Sequence, residues 1–125
     1  MNYLIVAIGG GLGAGLRYGF NVNVPRVFGG DYPWHTLIVN VLGCFVMGVI
    51  TELAALKFSM TQEMRLFLTT GILGGFTTFS AFALDFALMA ERRDFASAGG
   101  YALASVVLSI AACFAGLAAV RSILA

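Results

Sequence analysis

The residues with the most chemical potential are polar groups set inside apolar runs. Asn40 stands in "TLIVNVLG", and its amide offers two donors and a carbonyl acceptor. Ser97, Tyr101, Ser105, Ser109 and Cys113 recur every four residues, so on a helix they form a slowly drifting line along one face. "GILGGFTTFSAF", Gly71 to Phe82, holds a Gly-Gly pair, two threonines and a serine amid leucines and phenylalanines. Polar groups are costly in lipid unless paired, and each of these has two readings. Asn40 is either an interhelical hydrogen bond or a donor on a polar pathway. The hydroxyl line is either a small-residue packing face or a track that donates to an anion in transit. Phe79 and Phe82, three apart, are either core residues or rings that turn their positive edges to an anion.

The Gly-Gly-x-Thr-Thr run poses a backbone question. A helix from about Phe67 to Met89 is roughly 34 Å long at 1.5 Å per residue, and its midpoint falls near Thr78. Glycine costs about 1 kcal/mol in a helix, and threonine is also unfavourable relative to alanine. An opened helix at that depth frees carbonyls that lipid cannot satisfy. Carbonyl oxygens are hard ligands suited to a hard cation, and the two half-helix ends point inward at the break. If two antiparallel chains met there, two carbonyls from each would form a tetrahedral oxygen cage. The alternative is a kinked but closed helix whose glycines pack on a neighbour.

The elements that must position these residues follow from composition. The chain has 125 residues, the size of about one domain, with 60% hydrophobic and only 10% charged residues. Its mean hydropathy is +0.95. A soluble domain carries about a quarter charged residues, so lipid is the expected solvent. A net charge of +1 gives no reason to expect a nucleic-acid partner. Cys44 and Cys113 lie in apolar runs and read as small packing residues, not as a disulfide or a metal site. The N-terminal apolar segment lacks a basic n-region, so no cleavable signal is expected. A spanning helix needs about 20 apolar residues. Four such spans are expected, at about 3–20, 36–56, 67–89 and 97–124, in a single all-α membrane domain. The linker "NVNVPRVFGGDYPWH" contains both prolines; "KFSMTQEMR" and "AERRDF" are the other two.

Lys and Arg in the loops usually set orientation. One side receives Lys57, Arg65 and Arg121; the other receives Arg26, Arg92 and Arg93, with Arg17 near the end of the first span. Such balance is read either as insertion in both orientations with pairing of opposed copies, or as a weak bias that still sets one topology. That pairing would supply the symmetry that transporters build from inverted repeats. Arg17 is either a vestibule cation or an interface anchor, and Asp85 and Glu52 sit toward the ends of their spans. His35 beside Trp34 reads as an interfacial pair. "YLIVAIGGGLGAG" has a dinucleotide-like G-x-G-x-x-A spacing at Gly9, Gly11 and Ala14, with Asp31 about 20 residues on. Continuous apolar helix follows it, so the better reading is small residues four apart. Gly9 with Gly13, and Gly11 with Gly15, would then let helices approach closely. No nucleophile–base pair or metal cluster is visible, and an enzyme is not expected.

"GGFTTFSAF" resembles the signature of the Fluc (CrcB-type) fluoride channels. "GAGLRY", "TLIVNVLG" and "GYALASVVLS" resemble the family's other signatures, in the same order and across essentially the whole chain. The resemblance implies an antiparallel, dual-topology homodimer in the cell (inner or plasma) membrane, with two fluoride pores. It also implies a central sodium ion that is structural and not transported. Carried over by position, the carbonyls of Gly74 and Thr77 would hold the sodium. Phe79 and Phe82 would face fluoride, and Asn40 would donate to it beside them. Tyr101, Ser105 and Ser109 match polar pore positions, and Arg17 matches a basic residue near the pore entrance. The family often has F-S-T-F where this chain has Phe79, Ser80, Ala81 and Phe82, so one pore hydroxyl is missing and Ser80 alone remains. Asp85 stands where an acidic residue, frequently Glu, is often found. The expected function is a passive channel that lets cells lose fluoride accumulated by acid trapping. The alternatives are a fluoride–proton antiporter, which would want a titratable residue at mid-membrane, and a structural membrane subunit.

Overall fold

The structure is a computed structural model that describes every residue except Gly30, Asp31, Phe58 and Ala125. All its regular elements are helical. They are α1 (Asn2–Phe28), α2 (Trp34–Leu56), α3 (Gln62–Arg65), a π-helical segment (Leu66–Leu73), α4 (Gly74–Phe76), α5 (Ser80–Glu91) and α6 (Phe95–Leu124). Three helical stretches are long and apolar enough to cross a membrane, Trp34–Leu56, Gln62–Glu91 and Phe95–Leu124; α1, where the first of four spans was expected, is not among them.

The first helix is longer than its apolar pattern predicts. It runs 27 residues, through Pro25, and ends where Gly29 takes φ 69°. The proline was expected to lie in a linker. Its missing N–H and fixed φ weaken a helix without forbidding its continuation. Left-handed backbone at a glycine is what stops it, and the Gly29 N–H closes the last turn on the Pro25 carbonyl at 2.8 Å. The dinucleotide-like glycines all lie inside this helix, and Asp31, the acid of that pattern, is outside the described residues.

The third stretch starts at a cap. The Thr61 hydroxyl accepts from the Met64 N–H at 3.1 Å, a side-chain cap on an otherwise orphan donor. The helix then widens into the π segment. Thr69, Thr70 and Gly71 are poor α-formers, and the Thr69 hydroxyl donates back to the Arg65 carbonyl at 2.7 Å, which loosens a helix.

Glycines set the helix pairing. A Cβ on Gly9 would come within 2.8 Å of the Phe67 carbonyl, and one on Gly13 would collide with the Ile72 carbonyl. Gly75 lies against the Gly10 carbonyl in the same way. α1 therefore packs backbone to backbone along the π segment and α4. Of the two glycine pairs read from spacing, only Gly9 with Gly13 does this; Gly11 and Gly15 have nothing within 4 Å. On the other side of the molecule Gly48 meets the Cys113 carbonyl and Gly116 meets the Phe45 carbonyl, so α2 and α6 cross closely.

The order of these contacts fixes direction. Gly9 and Gly13 meet residues 67–76 in ascending order, so α1 and the third stretch run the same way. Leu37 clusters with Tyr101, Gly48 touches Cys113, and Glu52 pairs with Arg121, so α2 and α6 also run together. The chain thus traverses the bundle four times with alternating sense. Leu103, Val107 and Phe114 of α6 face outward with roughly half or more of their surface exposed, as lipid-facing residues do.

Candidate functional site

The third stretch is interrupted at Thr77–Phe79, close to the midpoint expected from sequence. Thr77 is extended, with φ −86° and ψ 160°. Non-helical backbone inside an apolar bundle persists only if its polar groups are satisfied, and named side chains satisfy much of it. Both Thr77 donors, N–H and hydroxyl, close on the Leu73 carbonyl at 2.9 Å. Arg17 Nε donates to the Gly75 carbonyl at 3.1 Å. Arg17 is therefore turned inward onto the end of the first half-helix, where a cation complements the dipole. It is not confined to an interface-anchor role.

Asn40 reaches the break from α2 and grips Thr78 on both sides. Its Oδ1 accepts from the Thr78 N–H at 2.8 Å and its Nδ2 donates to the Thr78 carbonyl at 2.9 Å. This leaves one amide N–H and further acceptor capacity. The interhelical bond and the donor on a pathway are thus not exclusive for this residue. The Thr78 hydroxyl in turn accepts from the Ala81 N–H at 3.1 Å, starting α5, and lies 3.3 Å from the Ser80 hydroxyl. Among the four carbonyls from Gly74 to Thr77, only that of Gly75 has a donor among the described residues. Gly74 is itself exposed on the protomer surface.

Beside the break is a cavity of about 410 Å³. Asn40, Thr77, Phe79, Phe82, Ser105 and Ser109 line it, together with Thr78, Met47, Cys44 and Cys113. Five positions expected to form a pore thus meet at one place, contributed by α2, the break, α5 and α6. Ser105 is buried, and its Oγ has no hydrogen-bond partner among the described residues. The Phe79 and Phe82 rings lie 5.4 Å apart at 53°, and Phe79 is 78% exposed in the single chain.

The remaining expected residues lie apart from the cavity wall. Gly74 faces the protomer surface and Arg17 sits behind the break. Ser80 is exposed beside Thr78. Tyr101 is 0% exposed. Its hydroxyl donates to Asp85 Oδ2 at 3.1 Å, and its ring packs 5.2 Å from Phe82 and 5.7 Å from Tyr32.

Sequence reasoning left out three partnerships: Asn40 with Thr78, Arg17 with Gly75, and Tyr101 with Asp85. It also read Cys44 only as a packing residue, whereas both Cys44 and Cys113 reach the cavity wall. The Thr78 cap had a signal, a hydroxyl residue just before an apolar helical run. The three partnerships join residues 38, 58 and 16 positions apart and had none.

Comparison with known proteins decides the family. The model described as "CrcB-like protein, Camphor Resistance (CrcB)" matches residues 4–117. The chain belongs to the CrcB family. Its CrcB relatives include "Fluoride-specific ion channel FluC 2" of Nitrobacter hamburgensis, 51% identical over 97% of this chain and 98% of the relative. "Fluoride-specific ion channel FluC" of Rhizobium etli is 52% identical over 96% of each chain. That of Rhodopseudomonas palustris is 52% identical over 98% of this chain and 99% of the relative. With its three apolar helical stretches, this CrcB chain is a multi-pass membrane protein.

Proposed function

We propose that this protein is a fluoride-selective passive channel that releases cytoplasmic fluoride across the cell membrane. It works as an antiparallel homodimer with two pores and a structural sodium ion on the axis. The observation that carries the reading is the broken third stretch. Gly74 presents a carbonyl without a donor at an exposed position, and lipid does not tolerate such a group. A second copy brought against this surface would cover it. Full-length similarity to proteins named fluoride-specific ion channels supplies the anion.

The donor set fits a hard cation. The undonated carbonyls of Gly74 and Thr77 are neutral oxygens at the negative end of a half-helix. With the partner's pair they would hold sodium, whose positive charge would hold the two breaks together. This chain's own residues do the rest. Asn40 keeps one N–H free of Thr78, and the Ser105 and Ser109 hydroxyls share its cavity. Together with the edges of Phe79 and Phe82 they would replace part of the hydration shell of fluoride. Fixed donors in a narrow passage select a small anion without a moving gate. Arg17 holds positive charge behind the break and would favour anion entry, while Ser80 and Tyr101 flank the track. Ala81 adds no hydroxyl, so the Thr78–Ser80 pair is the polar contact at this turn.

Flux from liposomes tests this. Fluoride is expected to pass far faster than chloride, with the current reversing at the fluoride Nernst potential. A reversal set by the proton gradient would favour the fluoride–proton antiporter instead. The acids nearest to serving such an exchanger are Asp85, bonded to Tyr101, and Glu52, paired with Arg121, and neither is among the cavity-lining residues.

A further inference from the structure

A continuous helix through residues 74–81 would use two particular backbone bonds. The Thr78 N–H would close on the Gly74 carbonyl, and the Ala81 N–H on the Thr77 carbonyl, each four residues back. Neither bond is made. The Thr78 N–H goes to Asn40 Oδ1 at 2.8 Å and the Ala81 N–H to Thr78 Oγ1 at 3.1 Å. The two diverted donors are those that would otherwise occupy Gly74 and Thr77. The bond before them is made in duplicate, by both donors of Thr77 on Leu73, so the helix is whole up to that point. Of the two carbonyls between them, Gly75 is taken by Arg17, and Phe76 has no donor among the described residues.

From this pattern we infer that Asn40 and Thr78 are positioning residues for the cation. They draw off the donors that compete for its two carbonyl ligands, and so hold the helix open in a form that binds it. Asn40 thereby acts on both ions, through the break as well as through its free N–H. The physical reason is a competition. In a low-dielectric interior a carbonyl without a donor is costly, so a closed helix would reclaim Gly74 and Thr77 wherever the N–H groups were released. Replacing each N–H acceptor with a side-chain oxygen removes that alternative at its source. Arg17 takes the Gly75 oxygen out of this competition, while no side chain diverts a donor onto or away from Phe76. The inference rests on the cation reading above and states which side chains make it hold.

The test reads the cation and not fluoride flux. Purified dimer in detergent without fluoride is melted across a sodium series, with N-methyl-D-glucamine as the replacement cation. The unchanged protein is expected to melt higher as sodium rises. Thr78→Ser keeps the capping oxygen and is expected to follow the same curve. Thr78→Val keeps the shape and loses the oxygen. It is expected to need about tenfold more sodium for half the shift, the scale of one hydrogen bond. Asn40→Leu, which releases the Thr78 N–H, is expected to weaken the sodium response similarly through Gly74. If the unchanged protein shows no sodium response, the cation reading fails and takes this inference with it. If it responds and both Thr78→Val and Asn40→Leu titrate like it, the cation reading stands and the positioning role is overturned. Should Thr78→Val yield no dimer, Asn40→Leu decides by the same criterion.

Discussion

Two regions of the molecule bring helices into backbone contact through glycine, and they end differently. Where α2 crosses α6, Gly48 meets the Cys113 carbonyl and Gly116 meets that of Phe45. Both helices pass the crossing unbroken, with their carbonyls paired inside themselves. Where α1 meets the third stretch, Gly13 lies against Ile72 and Gly75 against Gly10, equally close. There the helix first widens and then opens within three residues of the contact. Close packing therefore does not by itself open a helix. The difference lies in what reaches the backbone from the side. At the open site Arg17, Asn40 and Thr78 take backbone partners, whereas no such side-chain bond is made at the α2–α6 crossing among the described residues. Irregular backbone survives in an apolar bundle where polar side chains replace the helix's own hydrogen bonds.

The largest expected effect tests the shared feature. Gly13→Val and Gly48→Val each force a branched side chain into a carbonyl with no flexible neighbour to move. Each is expected to destabilise by about 3 kcal/mol or more, read as loss of the monodisperse peak after extraction. If one crossing tolerates its valine, the two are not equivalent.

The next effect separates the regions. Phe82→Ile changes the cavity beside the break and the packing of that ring on Tyr101. It is expected to abolish fluoride flux from liposomes while the dimer is retained. Unchanged flux would remove the ring edges from the pathway. Arg17→Met removes the donor on Gly75 and is expected to cost about 1.5–3 kcal/mol, the range for a hydrogen bond to a charged group. It should also lower flux most at low ionic strength, where an entrance charge is least screened. A stability loss with no salt-dependent change in flux would confine Arg17 to its structural bond.

Two smaller effects bound the comparison. Arg121→Gln breaks the 3.1 Å pair with Glu52, in which the arginine side chain is 62% exposed and the glutamate 10%. About 1 kcal/mol or less is expected in thermal unfolding, because solvent screens the exposed partner. Gly11→Ala faces open space in the protomer and is expected to stabilise by about 0.5–1 kcal/mol. A loss of dimer would instead assign that face of α1 to the partner.

Much of the fold was legible in local sequence. Apolar length located the helices, and the Gly-Gly-x-Thr-Thr run located the break to within a residue or two of Thr78. The errors were also local in origin. Pro25 was read as a breaker, although Gly29 was the residue able to turn left-handed and end α1. The four-residue spacing of Gly11 and Gly15 matched that of Gly9 and Gly13, yet spacing cannot say which helix face meets a neighbour. At the candidate site, residue types picked out Asn40, Phe79, Phe82, Ser105 and Ser109, which gather on one cavity. They did not separate these from Tyr101, whose place in the same four-residue series hid its commitment to Asp85.

The sequence by itself determined the apolar, helical character of the chain and the weak point of the third stretch, although of its four expected spans only three are long and apolar enough to cross a membrane. Composition and intrinsic propensity act locally and need no partner to be read. Only the tertiary structure decided what becomes of the backbone at that weak point. The bond from Arg17 to Gly75 and the grip of Asn40 on Thr78 join residues 58 and 38 positions apart. Whether a freed carbonyl is recaptured, capped or left open depends on which donors the fold carries to it, and helix packing sets that.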